Sequence, residues 1–201
     1  SVGLDLMGRI IEVVTGTPFD SFLHQRIFEP CGMTSTGFQV PESEVARLTA
    51  NYFVLGNVLL PIDLPENSIF LDKPPFPFGG AGLVSSPRDY DRFLMMLAGF
   101  GMIEGRRVMS EAAVRLGTSD LFPPTMAADD AFARSSGHGA GGRVGRGAEA
   151  GLFGWSGAAG TIGFVNLRTG LRAALYTQYM PANAYSVQED FAEAVAQAVA
   201  E

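Results

Sequence analysis

Gly154-Trp155-Ser156-Gly157-Ala158 is the stretch of this 201-residue chain whose residue types and spacing come nearest to chemistry. It nearly matches the Gly-x-Ser-x-Gly elbow, in which a sharp strand-to-helix turn exposes a serine nucleophile. Two observations count against an elbow. No histidine follows Ser156 to act as its base, because His24 and His138 both precede it. Thr161-Ile162-Gly163-Phe164-Val165 reads as a strand, where an elbow demands a helix. A second serine design is Ser-x-x-Lys, in which a helix sets an amine one turn from the hydroxyl. Lys73 is the only lysine, and Phe70 stands three residues before it, so the chain holds no such pair. Ser1 offers a third design, an N-terminal serine whose own α-amine, with a reference pKa of ~7.7–8.0, acts as base.

The remaining reactive residues form no site by themselves. Cys31 is the single cysteine, which excludes an internal disulfide and a cysteine-built zinc site. Its neighbours in Phe28-Glu29-Pro30-Cys31-Gly32-Met33 are apolar, so an inert buried thiol is expected. The two histidines lie far apart without a ligand pattern, and neither a metal nor a cofactor is expected. No isolated carboxylate pair in an apolar setting marks a glycosidase site. Gly79-Gly80-Ala81-Gly82 lacks the spacing and trailing lysine of a phosphate loop and reads as a tight backbone passage that needs small residues. A net charge of −7 argues against nucleic acid. No apolar run approaches the ~18 residues of a membrane span. With 47% apolar and 17% charged residues, the chain has material for a sizeable core.

Leu4, Met7, Ile11 and Val14 recur at helical spacing, so residues 3–15 read as a helix that Gly16 caps. Thr17-Pro18-Phe19-Asp20 opens a second helix, with Thr17 as cap and Phe19, Leu23 and Ile27 as its apolar face. The proline-rich stretch 34–85 reads as loops and short extended pieces. Ser86-Pro87-Arg88-Asp89 starts a helix that buries Tyr90, Phe93, Leu94 and Leu97. Ser110 caps a shorter helix through Leu116. Residues 123–150 read as a long loop around a strand near His138. Runs at about 152–158, 160–167 and 171–179 read as an antiparallel meander with a hairpin at Asn166–Gly170. Ser186-Val187-Gln188-Glu189 reads as a capping box opening a last helix with Phe191, Val195 and Val199 inward. The order predicts an α+β fold with helices on one side of an antiparallel sheet. Two open sheet edges invite further strands.

Four stretches resemble, in order, the signatures of class C β-lactamases and family VIII carboxylesterases, within the serine β-lactamase and penicillin-binding-protein family. Val2-Gly3-Leu4-Asp5-Leu6-Met7-Gly8-Arg9-Ile10-Ile11-Glu12-Val13-Val14-Thr15-Gly16 resembles the helix after their catalytic tyrosine. Arg26-Ile27-Phe28-Glu29-Pro30-Cys31-Gly32-Met33-Thr34-Ser35-Thr36-Gly37-Phe38 resembles the next signature, where Leu commonly stands at Cys31. Gly79 to Ser86 with the Asp89-Tyr90 helix resembles the third, and Gly154 to Thr161 the last. The resemblance implies a β-lactamase/DD-peptidase-like fold of which 1–201 is the C-terminal portion. In that reading, 1–122 is mainly helix and loop, and 123–201 holds the sheet strands and the C-terminal helix. The fold would be incomplete without an N-terminal segment.

The same resemblance assigns roles. Trp155-Ser156-Gly157 aligns with the Lys-Thr-Gly box of the β-lactamases, and the Ala158 backbone N–H takes the place of half an oxyanion hole. Loss of that lysine removes a cation for a β-lactam carboxylate, and Trp155 offers an apolar wall instead. Tyr52 is a further candidate for lining the acyl pocket. Ser1-Val2 would be the end of the catalytic tyrosine motif. A second polypeptide or segment would then carry Ser-x-x-Lys and the tyrosine. The implied activity is a serine hydrolase working through an acyl-enzyme, a carboxylesterase on small esters with weak β-lactamase activity. Two alternatives stand beside it: a non-catalytic binding module on the same scaffold, and a hydrolase using Ser1. His138 is expected to be structural and to lie in the strand before the final box. The chain opens without a start methionine, a basic n-region or an apolar leader, so a cleaved chain or a preceding segment is expected. The compartment stays open, the bacterial cytoplasm being favoured over the periplasm.

Overall fold

A computed structural model of the chain describes residues 2–123, 125–126 and 135–199. Helix α1 (Val2–Thr15) ends at Gly16, whose positive φ of 67° is the left-handed geometry expected of a glycine cap. Helix α2 (Phe19–Leu23) runs through a π-helical turn, His24–Phe28, into α3 (Glu29–Cys31). Pro18, not Thr17, occupies the cap position of α2, and no side chain caps it. The Glu12 carboxylate takes that role from α1 by accepting the Phe19 N–H at 3.0 Å. Gly8 lets the two helices approach, because a Cβ there would meet the Phe19 ring at 3.2 Å.

The apolar pattern of α1 does not end in burial. Gly8 is its buried residue, whereas Val2, Leu6, Met7, Ile10, Val13 and Val14 form an exposed stripe. A helix apolar on this much of its surface ordinarily has neighbours on more than one side.

The stretch read as loops holds a hairpin, β1 (Asn51–Leu55) and β2 (Val58–Asp63), paired antiparallel across Gly56-Asn57. Helix α4 (Pro87–Ala98) starts as expected: Pro87 is its first residue, and the Ser86 hydroxyl accepts the Asp89 N–H. The short strands β3 (Met102–Ile103) and β4 (Arg106–Arg107) lead to α5 (Glu111–Gly117), capped by Ser110. The main sheet runs β5 (Gly137–His138), β6 (Arg143–Val144), β7 (Leu152–Ser156), β8 (Ile162–Asn166) and β9 (Arg172–Leu175), all antiparallel. The expected meander is β7–β9, and β5 and β6 extend one of its open edges. Strand β10 (Tyr179–Met180) leaves this sheet and pairs parallel with β1. Helix α6 (Val187–Ala198) closes the chain.

Helices cover both faces of the main sheet, a correction to the one-sided expectation. Val165, fully buried, joins Leu94, Met96 and Leu97 of α4 with Phe28, Cys31, Met33, Ile103 and Val114 in the core. Phe164 points the other way and meets Phe191 of α6 at 6.2 Å between ring centroids. Successive strand residues face opposite sides, so one strand serves both layers. Ser186 does not form a capping box; its hydroxyl donates to Asp190 Oδ2 at 2.7 Å. Val199 is exposed rather than inward.

Asp89 ties the two ends of the helical part together. It is 2% exposed, and its Oδ2 accepts the Ser35 N–H at 2.6 Å and the Thr36 hydroxyl at 2.9 Å. Gly79 and Gly80 pass against the first turn of α1. A Cβ on Gly79 would stand 2.0 Å from the Leu4 carbonyl oxygen, and Asp5 Oδ1 accepts the Gly80 N–H at 3.1 Å. The glycine run thus serves close approach, as its composition implied.

Candidate active site

The Trp155-Ser156-Gly157-Ala158 segment leaves β7 and enters the turn to β8. Trp155 is 52% exposed, and Ser156 and Ala158 are also exposed. The turn is tight: the Gly160 N–H donates to Gly157 O at 3.2 Å and the Gly157 N–H to Thr161 O at 2.8 Å. Gly160 has φ 77°, and a Cβ there would stand 2.3 Å from Thr177 Oγ1 and 2.6 Å from the Tyr179 ring, so only glycine fits. Three groups outside the turn hold its carbonyls. Thr177 Oγ1 donates to Ala159 O at 3.0 Å, and the Tyr179 N–H donates to the same oxygen at 3.2 Å. Gln188 of α6 donates through Nε2 to Gly157 O at 3.2 Å and to Thr161 O at 2.7 Å. No described residue accepts a hydrogen bond from the Ala158 N–H.

Trp155 meets the aromatic ring of His138. The His138 ring lies 5.4 Å from it, edge-on at 77°, and stacks on Phe122 at 5.6 Å and 18°. His138 sits in β5, so β6 separates it from the strand that carries Trp155. Asp120 Oδ1 accepts the backbone N–H groups of Phe122 and His138 at 3.1 and 3.2 Å. A hydrogen bond from the Arg146 guanidinium holds the Asp120 carboxyl below the usual carboxylate range. Arg143, the register partner of Gly154, forms an ion pair with Glu149.

The other candidates are distributed around this turn. Tyr52 pairs with Tyr179 across β1 and β10, and its N–H donates to Gln178 O at 3.1 Å. Because Tyr179 also binds Ala159 O, Tyr52 is one strand removed from the Ala158 turn. Val2 is exposed at the start of α1. Leu4 Cδ2 lies 3.7 Å from where a Cβ on Gly141 would stand, which brings the first turn of α1 to the β5–β6 connection. Ser1 lies outside the described residues. Cys31 is buried, and burial pushes its thiol up, in keeping with an inert role. Among the described residues, no three His, Cys, Asp or Glu side chains group as metal ligands. Also among them, no helix is long and apolar enough to cross a membrane. Gln188, Thr177 and the Phe122–His138–Trp155 ring series are not legible in the sequence as site neighbours. Gln188 in particular reads, in the sequence, as part of a cap.

An antiparallel sheet with helices on both faces, carrying this turn at the end of β7, is a fold of the β-lactamase and penicillin-binding-protein type. The chain belongs to the Beta-lactamase family, whose model matches residues 1–198. It is similar to Protein Rv1367c of Mycobacterium tuberculosis, 33% identical over 120 residues, which cover 60% of this chain and 30% of that protein. Two solved structures share the fold. EstCE1, described as a hydrolase with promiscuous acyltransferase activity, has a TM-score of 0.78 at 22% identity, over 97% of this chain and 55% of that one. The LovD6 mutant of Simvastatin Synthase from Aspergillus terreus has a TM-score of 0.77 at 21% identity, over 94% and 52%. The chain therefore spans about half of each solved structure and less of the curated relative.

Proposed function

We propose that residues 1–201 are the C-terminal portion of a serine hydrolase that works through an acyl-enzyme on small neutral esters. The observation that carries this reading is the N–H of the exposed residue Ala158, which no described residue engages, on a turn whose carbonyls are held by three groups outside it. A fixed donor of this kind stabilises the negative charge that develops on a carbonyl oxygen during attack, at no reorganisation cost. Ser156 and Gly157 set the path of the strand into that turn. Trp155 is the apolar wall for the acyl or alcohol part, and Tyr52 extends the wall across β10.

The electrostatics support a neutral substrate. The box position of the β-lactamase lysine is Trp155, and the cation on the adjoining strand, Arg143, is taken up by Glu149. Among the described residues of β6 and β7, a lactam carboxylate would find no free fixed charge, so cephalosporin turnover would be weak. The nucleophile, its lysine and the catalytic tyrosine belong in this reading to a further polypeptide segment, and the exposed apolar stripe of α1 supports a partner that packs on it.

The test is a p-nitrophenyl butyrate assay beside a chromogenic cephalosporin, with an organophosphonate as trap. We expect faster turnover of the ester and a covalent adduct on a serine outside residues 1–201. Faster turnover of the cephalosporin would overturn the substrate assignment, and an adduct on Ser1 or Ser156 would overturn the division of labour.

A further inference from the structure

We propose that Gln188 is a positioning residue for the oxyanion donor, acting through the Gly157–Ala158 peptide plane. The inference rests on the reading of Ala158 given above. A trans peptide unit is planar, and its C=O and N–H point in opposite directions. Whatever fixes Gly157 O therefore fixes the direction of the Ala158 N–H on the other side of the same plane. Gly157 O accepts from Gln188 Nε2 at 3.2 Å and from the Gly160 N–H at 3.2 Å. The Gly160 bond lies within the turn and would move with it. Gln188 reaches in from α6 and supplies an anchor outside the turn.

The chemistry of the side chain suits the task. A primary amide nitrogen carries two N–H donors. Here Nε2 faces two carbonyl oxygens, Gly157 O and Thr161 O, one on each side of the turn. Thr161 O also accepts the Gly157 N–H at 2.8 Å, so the anchor holds both ends of the loop that displays Ala158. Glutamate has nearly the same shape but is acceptor-only when ionised, and would set a carboxylate against two carbonyl oxygens. Lysine keeps a donor of similar reach.

The experiment uses the polypeptide that contains residues 1–201 as it occurs, with any preceding segment retained, labelled with 15N-alanine. Gln188→Glu and Gln188→Ala are expected to shift the Ala158 amide resonance while leaving alanines remote from the turn, such as Ala113, in place. In ester hydrolysis, kcat should fall roughly 10- to 100-fold with KM changed less than about 2-fold, as for a misaligned transition-state donor. Gln188→Lys should recover kcat to within about 3-fold of the parent. An unmoved Ala158 resonance in both variants overturns the inference, as does a moved resonance with unchanged kcat, or a rise in KM alone. If the parent protein hydrolyses no ester, the proposed function fails, and the Ala158 resonance still decides whether Gln188 orients that N–H.

Discussion

Gly154→Ala puts the geometry of the β7–β8 pair to a direct test. A Cβ on Gly154 would stand 2.3 Å from Gly163 O, 2.6 Å from Phe164 Cβ and 2.7 Å from Phe164 Cα. Two of these three atoms are backbone, so no rotamer change relieves the overlap. The strands must separate where Gly154 pairs with Phe164, in the middle of five paired positions. Overpacking of this kind costs about 1–3 kcal/mol. For a chain of this size each kcal/mol moves the melting temperature by about 2–4 °C, so a cost near 2 kcal/mol lowers Tm by about 4–8 °C. Calorimetry gives the number. Gly3→Ala is the control, since nothing stands within 4 Å of its Cβ and the residue is helical. It should raise Tm slightly, by about 0.5 kcal/mol of added stability. A Gly154→Ala protein that melts with the parent would refute the strand spacing described here and with it the geometry of the turn beyond Ser156.

Asp89→Ala removes the acceptor of the Ser35 N–H and the Thr36 hydroxyl from a buried position. It should cost about 3 kcal/mol in urea unfolding, with Asp89→Asn costing less; equal losses would contradict a charge-assisted pair of bonds. Cys31 should react with a thiol reagent only after unfolding, because burial both shields its thiol and pushes it up; rapid labelling of native protein would count against that packing. Arg146→Gln tests the hydrogen bond that lowers Asp120. A carboxyl with a folded pKa below its unfolded value of about 3.9 stabilises above that pH and loses its contribution as pH falls through the folded value. Parent and variant should therefore differ in stability near neutrality and converge in acid; a gap that widens in acid would reverse the assignment.

Much of this arrangement could be read from the residues. Ser86 and Ser110 declare helix starts because their hydroxyls must accept backbone N–H groups that the first turn leaves unpaired. The β7–β9 meander is visible because alternation and the Asn166–Gly170 turn agree. The β1–β2 hairpin was legible in Gly56-Asn57 between Leu55 and Val58, a turn pair suited to a two-residue connection, but the prolines around it read as loop. Thr17 and Ser186 show the limit of local rules, since a carboxylate on another helix and an aspartate one turn on displaced the expected caps. The second helical layer escaped because β8 alternates between two apolar faces, and alternation alone does not say what covers the second. Gln188 escaped for a deeper reason: its partners are carbonyl oxygens, which every residue has, so no side-chain pattern announces them.

Trp155 is the only tryptophan in the chain. It is half exposed, and its ring contact is His138. These 201 residues consequently carry one indole fluorophore, and that fluorophore stands at the candidate site. Its emission reports the polarity and occupancy of that one wall without background from elsewhere in these 201 residues. A ligand that seats against Trp155 would announce itself as a spectral shift, before any turnover is measured.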